Sequence, residues 1–157
     1  NNLCQTGNFK DAIKNYDQAL ELRPDFNEAW YKRGNVLAEL QLYKEAIVSY
    51  EKALNLQSDD YRAWVGKGNV FTELQRYQEA LEFYNQALKF KPNDSEILKK
   101  SELTKNELKK LEIYAEDLLN QGINFYNIRQ YEEAIRIYDQ AIESISKNLV
   151  SKSESIS

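Results

Sequence analysis

Residues 27–60 read NEAWYKRGNVLAELQLYKEAIVSYEKALNLQSDD, and residues 61–94 read YRAWVGKGNVFTELQRYQEALEFYNQALKFKPND. Set one above the other, Trp30 recurs as Trp64, Gly34 as Gly68, Asn35 as Asn69, Leu40 as Leu74 and Tyr43 as Tyr77. The series Ala12, Ala46, Ala80, the series Tyr16, Tyr50, Tyr84 and the series Ala19, Ala53, Ala87 keep the same step of 34 residues. A fixed period of this size marks stacked supersecondary units, each burying its apolar face on the next. An extended stack presents an extended surface, which suits binding to other chains.

Each unit holds two helical patterns. Trp30, Gly34 and Leu37 fall at i, i+4 and i+7, and Ala46, Ile47, Tyr50, Ala53 and Leu54 line a second face. Residues 61–74 and 77–90 repeat the pair. Pro24-Asp25, Ser58-Asp59-Asp60 and Pro92-Asn93-Asp94 separate the units; Pro disfavours a helical residue before it, and Asp, Asn or Ser caps the helix that follows. Gly34, Gly68, Ala46 and Ala80 carry no bulk on the inner faces, so paired helices can approach closely. The Tyr50 and Tyr84 rings are expected to fill the gap towards the next unit. Trp30 and Trp64 are expected to be largely buried where helix pairs meet.

The order Trp30, Arg33, Gly34, Leu37, Ala46, Tyr50, Ala53, and again Trp64, Lys67, Gly68, Phe71, Ala80, Tyr84, Ala87, Pro92, resembles the tetratricopeptide repeat. A first unit is cut short, leaving Gly7, Phe9, Ala12, Tyr16, Ala19 and Pro24. Two positions depart from the family pattern: Arg33 and Lys67 stand where it has Leu, and Ser58 replaces a Pro. The resemblance implies an all-α, right-handed superhelix of antiparallel helix pairs, an α-α solenoid.

The period is interrupted once. Tyr131, Ala134, Tyr138 and Ala141 lie 54 residues after Tyr77, Ala80, Tyr84 and Ala87, which is one period plus 20. The expected organisation is therefore two complete repeats and one truncated repeat over 1–94, a charged helical insertion over 95–114, a further repeat over 115–146, and a disordered tail over 147–157. The insertion carries nine charged residues and neither Gly nor Pro. Glu96/Lys100, Glu102/Lys105 and Glu107/Lys110 sit at helix-stabilising spacings. Leu108, Leu111, Ala115, Leu118, Gly122 and Phe125 form one stripe at alternating steps of three and four. One helix from about Ser95 to about Ile128 is favoured over a break near Glu112, and it is expected to displace the last repeat from the regular stack.

Composition narrows the function. Among 157 residues, 42% are hydrophobic and 29% charged, and the net charge of −4 argues against broad contact with a phosphate backbone. No run reaches the roughly 18 apolar residues of a membrane span, so neither membrane nor nucleic acid is expected as a partner. A lone cysteine, Cys4, excludes an internal disulfide and fits a reducing, cytoplasmic setting. The chain has no methionine and opens in mid-repeat, the expected look of a fragment. It has no histidine, Cys4 has no activating partner, and the five glycines form no phosphate loop. Asp59-Asp60 and Glu132-Glu133 sit at helix starts, where they serve the helix dipole. No catalytic residue, metal ligand or cofactor site is expected.

The resemblance implies that the first helix of each pair lines a concave groove. Its positions here are Glu28, Tyr31, Asn35 and Ala38, then Arg62, Val65, Asn69 and Thr72. Asn1, Asn35 and Asn69 form a ladder of amides. Each could grip the backbone of an extended peptide, or bond within the stack. Leu103 or Ile123 ends the ladder, and Leu119, Ile123 and Tyr126 offer an apolar stretch. That stretch could receive an apolar side chain or pack on the inserted helix. The expected groove residues are thus Tyr31, Asn35, Arg62, Asn69, Thr72, Leu119, Ile123 and Tyr126. Some relatives hold a partner's terminal carboxylate with Lys and Asn in one repeat, Asn in the next, and Lys and Arg in a third. Here Asn35 and Lys100 fit, but Tyr31, Gly66 and Glu96 do not. One repeat earlier Asn1 and Arg62 fit, but Lys32 and Gly66 do not, so binding of chaperone tails is not expected.

The leading expectation is a non-catalytic protein–protein interaction module, a scaffold or adaptor whose groove holds a peptide or helix of a protein partner. The alternative is the recognition region of a larger enzyme, a kinase or transferase with its catalytic domain elsewhere. A self-associating spacer, stacking through the solenoid ends, is the third.

Overall fold

A computed structural model describes residues 2–149, with side chains over 8–146 and at Asn148. Asn1 of the amide ladder and residues 150–157 of the expected tail lie outside the described residues, as does the side chain of Cys4. Seven helices and no strand make up the described residues: α1 Asn2–Leu22, α2 Asn27–Glu39, α3 Tyr43–Leu56, α4 Tyr61–Glu73, α5 Tyr77–Phe90, α6 Ser95–Asn127 and α7 Tyr131–Leu149. Each packs on the next in a right-handed superhelix of antiparallel pairs.

The seam between helices is a tyrosine ring laid on glycine. A Cβ placed on Gly34 would come within 2.7 Å of Tyr50 Cε1, and one on Gly66 within 2.5 Å of Tyr50 Cζ. The α3 ring therefore fills the space between the first helix of its own repeat and that of the next. Gly68 faces Tyr84 Cε1 at 2.5 Å in the same sense, and Gly122 faces Tyr138. Tyr50 and Tyr84 are buried, as are Ala46, Ala53, Ala80 and Ala87 beside them.

Trp30 and Trp64 pack against the core where helix pairs meet, each with part of its ring left at the surface. Each indole N–H donates to a carbonyl in the loop before its helix, Pro24 O and Ser58 O, at 2.9 Å in both cases. That bond keeps one edge of the ring at the surface. The other packs inward, Trp64 stacking on Phe83 with centroids 6.2 Å apart.

Arg33 and Lys67, which replace the family's Leu, tie successive repeats together. Arg33 Nε pairs with Asp17 at 2.6 Å, and Lys67 Nζ with Glu51 at 3.0 Å. Each base reaches back from a first helix to the second helix of the preceding unit, 16 residues earlier.

The turn inside each repeat places a non-glycine residue in the left-handed region: Gln41 at φ 59°, Gln75 at 58° and Arg129 at 63°. Around them Gln41 N donates to Ala38 O and Leu42 N to Leu37 O, both at 2.9 Å, and the pattern recurs at Gln75/Arg76 and Arg129/Gln130. These paired bonds satisfy helix-end carbonyls. No Gly or Asn marks the positions, so the sequence offered no turn signal there. α1, by contrast, runs unbroken through Gly7, the counterpart of Gln41. Asp60 and Asp94 cap α4 and α6 through their carboxylates, whereas α2 starts after Phe26 with no side-chain cap, so Asp25 does not serve as one.

α6 is continuous over 33 residues, with no break at Glu112. Its first half stands where the first helix of another regular repeat would stand. Ile97, Ser101 and Thr104 are buried and lie one period after the buried Ala63, Lys67 and Val70. The second half, through Ala115, Leu118 and Gly122, packs on α7. The added 20 residues shift the last repeat about 30 Å along the helix axis, at 1.5 Å per residue. α7 runs to Leu149, past the boundary expected at 146. Ser144 and Ser146 hydroxyls donate to the Ala141 and Glu143 carbonyls, so both are satisfied within the helix. Near the end of α7, Asn148 Oδ1 accepts from Tyr77 N at 2.8 Å and caps α5.

Two substitutions test this account. Gly68→Ala should destabilise the chain by about 1–3 kcal/mol in urea unfolding, because overpacking against Tyr84 outweighs the gain of about 1 kcal/mol in helix propensity. Gln75→Gly should stabilise by about 0.5–1 kcal/mol, because glycine removes most of the left-handed penalty while costing some unfolded-state entropy. An unchanged midpoint in either would contradict it.

Candidate peptide-binding groove

α2, α4 and the first half of α6 line a groove of about 760 Å³. Tyr31, Asn35, Asn69 and Thr72 converge there, and Leu103 of α6 continues the row in place of a third amide. Glu39 and Glu73, Tyr43, Glu96 and Lys100 also face it.

The two asparagines are fixed by tyrosines of the partner helices. Tyr50 Oη donates to Asn35 Oδ1 at 2.8 Å, and Tyr84 Oη to Asn69 Oδ1 at 3.0 Å. Lys100 Nζ, which can only donate, lies 3.2 Å from Asn69 Oδ1 and confirms the oxygen's orientation. Stack and groove thus take different ends of each amide. The carbonyl oxygen belongs to the tyrosine, and the Nδ2 hydrogens have no acceptor among the described residues. Burial, with smaller contributions from Tyr31 and Glu39, pushes the Tyr50 phenol far above its ordinary range. Burial also raises Tyr84, against the opposing hydroxyls of Thr72 and Thr104. Both rings stay protonated and keep donating.

Arg62 is committed elsewhere. Its guanidinium meets Asp60 and Glu28, each at 2.9 Å, and lies 4.7 Å over the Tyr31 ring. It supports Tyr31 and does not line the groove. Leu119, Ile123 and Tyr126 are exposed on the second half of α6 and are likewise absent from the groove wall. Tyr126 packs edge-on against Tyr131 with centroids 5.5 Å apart. The acidic pair Glu39 and Glu73 was missed as a groove feature, although its period of 34 was readable. Neither carboxylate has an ion-pair partner among the described residues, while Glu96 pairs with Lys100 at 3.4 Å. The groove can donate hydrogen bonds from amides and offer carboxylates to a cation. No group of three metal-ligating side chains occurs among the described residues, and no helix there is long and apolar enough to cross a membrane.

This period and geometry define a class of helical-repeat proteins, and comparison with known proteins gives the family. The tetratricopeptide repeat family matches residues 28–60, 61–94 and 118–144, and the related TPR repeat matches 1–41. The chain belongs to the tetratricopeptide repeat family. Among solved structures it is similar to the first TPR of Spaghetti (RPAP3) bound to HSP90 peptide SRMEEVD, at 21% identity and TM-score 0.63, covering 69% of this chain and 86% of that one. It is similar to MamA at 19% identity and TM-score 0.62, covering 92% and 93%. The TPR2B domain of yeast Sti1, from a pHsp70 complex, aligns at 22% identity and TM-score 0.60, covering 66% and 87%. These likenesses show the fold. No curated protein matches the chain in sequence.

The tyrosine lock carries a pH dependence. The folded state holds Tyr50 and Tyr84 neutral, whereas the unfolded chain ionises them near the ordinary value of 10.0. Stability present below that pH should be lost as pH rises through it. Urea midpoints measured from neutral to alkaline pH should fall above about pH 10, and less steeply in Tyr84→Phe. A flat profile would contradict the lock.

Proposed function

We propose that this chain is a non-catalytic protein–protein interaction module whose concave groove holds an extended peptide. The observation that carries this reading is the pair of locked amides. Asn35 and Asn69 stand one repeat apart, oxygens tied to tyrosines, with donor hydrogens left for a ligand backbone. Such donors serve any peptide whatever its side chains. Two structurally similar proteins named above are in complexes with a chaperone or its peptide, which supports peptide binding as the use of this fold.

The charge of the groove sets which peptide. Tyr31, Gly66 and Glu96 occupy places where a carboxylate clamp needs Lys or Asn, and Glu39 and Glu73 add unpaired negative charge. A carboxylate-terminated acidic tail would meet repulsion, whereas Lys or Arg side chains would meet acceptors. Leu119, Ile123 and Tyr126 lie apart from this groove and are not required by it.

Fluorescence anisotropy with two labelled probes tests the reading: SRMEEVD, and an amidated heptapeptide of alternating Lys and Ala. The basic probe should bind more tightly, with the difference shrinking in Glu39→Gln/Glu73→Gln. Asn35→Ala and Asn69→Ala should each weaken binding about tenfold at unchanged helix content, the scale of one lost hydrogen bond in a desolvated groove. Affinity unmoved by both asparagine variants would remove the groove from the function.

A further inference from the structure

In the internal repeats, the outer side of each second helix is covered by the first helix of the following unit. Leu54 of α3 is buried in one cluster with Ala63 and Trp64 of α4, and Leu88 of α5 packs with Ile97 of α6. The corresponding positions of α7 are Ile135, the counterpart of Leu81, and Ile142, the counterpart of Leu88. Leu81 is 8% exposed, but Ile135 is 60% and Ile142 61% exposed. Tyr138 rests on Gly122 as Tyr50 rests on Gly34, but no helix among the described residues covers its other side as Gly66 covers Tyr50.

The polar rung is open as well. Asp17 and Glu51, on α1 and α3, each receive a base from the following helix. At the next step both sides are uncharged, Asn85 on α5 and Ser101 on α6. At the last step the acid returns as Asp139 on α7, which has no ion-pair partner among the described residues. Glu132, Glu133 and Glu143 share α7 with it against two bases, Arg136 and Lys147, and Arg136 pairs with Glu133. α7 thus repeats the apolar positions and the acid that the inner repeats use to receive a helix.

We propose that this face of α7 binds an amphipathic helix of another protein, built on the plan of α4. It carries a Gly against Tyr138, apolar residues against Ile135 and Ile142, and a Lys or Arg that pairs with Asp139. Charge complementarity selects a basic helix, and the packing of α4 on α3 supplies the geometry. This surface is separate from the groove, and the proposal stands whatever the groove holds.

The probe is the labelled peptide of residues 61–74, YRAWVGKGNVFTEL, titrated with the whole chain in fluorescence anisotropy. Saturable binding is expected in the range of tens to hundreds of micromolar, because a short helix must order on binding. Ile135→Asp should weaken it at least about tenfold. Asp139→Lys should weaken it several-fold, and the peptide carrying Lys67→Glu should restore it. Both substituted positions are exposed, so both variants should unfold at the parent's midpoint. Absence of saturable binding, or equal affinity for Ile135→Asp, overturns the proposal. So does a concentration-dependent dimer that Ile135→Asp abolishes while the peptide does not bind, since a second copy would then be the occupant.

Discussion

The contact between a second-helix tyrosine and a first-helix glycine governs the architecture. Tyr50 is held between Gly34 and Gly66, so one ring sets both the spacing within its repeat and the spacing to the next. Packing at this density leaves no room for even a methyl group. The same ring reaches through to the groove, where its hydroxyl donates to Asn35. Burial keeps that hydroxyl protonated, so the seam and the orientation of the groove amide depend on one side chain. Tyr84 repeats the arrangement with Gly68 and Asn69.

A second constraint comes from α6. A regular repeat would break after its first helix, as α2 and α4 do at Gln41 and Gln75. α6 does not break there: it runs from Ser95 to Asn127, and the left-handed turn comes only at Arg129. One stripe along it, from Ile97 through Thr104 and Ala115 to Gly122, receives α5 first and α7 afterwards. The groove therefore gains a third wall from α6, and the last repeat is carried away from that wall. This is why Leu103 continues the amide row and Ile123, in the later register, does not.

Charge then divides the surface by role. Arg33 and Lys67 are consumed in joining repeats, and Arg62 in supporting Tyr31. Glu39, Glu73 and Asp139 have no such partners among the described residues. The bases of the repeats thus serve cohesion, and acids remain on the surfaces proposed to meet other chains. An exposed ion pair contributes little to stability. The Lys67–Glu51 pair differs because its Lys is buried and lies 4.5 Å over the Phe83 ring.

Sequence alone determined the helix pairs, the period of 34, the extra 20 residues, and the glycine and tyrosine positions of the seam, because each recurs in register and helix periodicity is local. It put Tyr31, Asn35, Asn69 and Thr72 on equivalent helix positions for the same reason, and all four line one cavity. Only the tertiary structure decided that the asparagine oxygens are taken by tyrosines while their hydrogens are not. Those bonds join residues 15 apart on different helices. It also decided that Arg62 is tied up, and that Leu119, Ile123 and Tyr126 lie away from the groove. Both depend on what stands opposite a side chain and on how far an unbroken helix carries it, which no single repeat's pattern encodes.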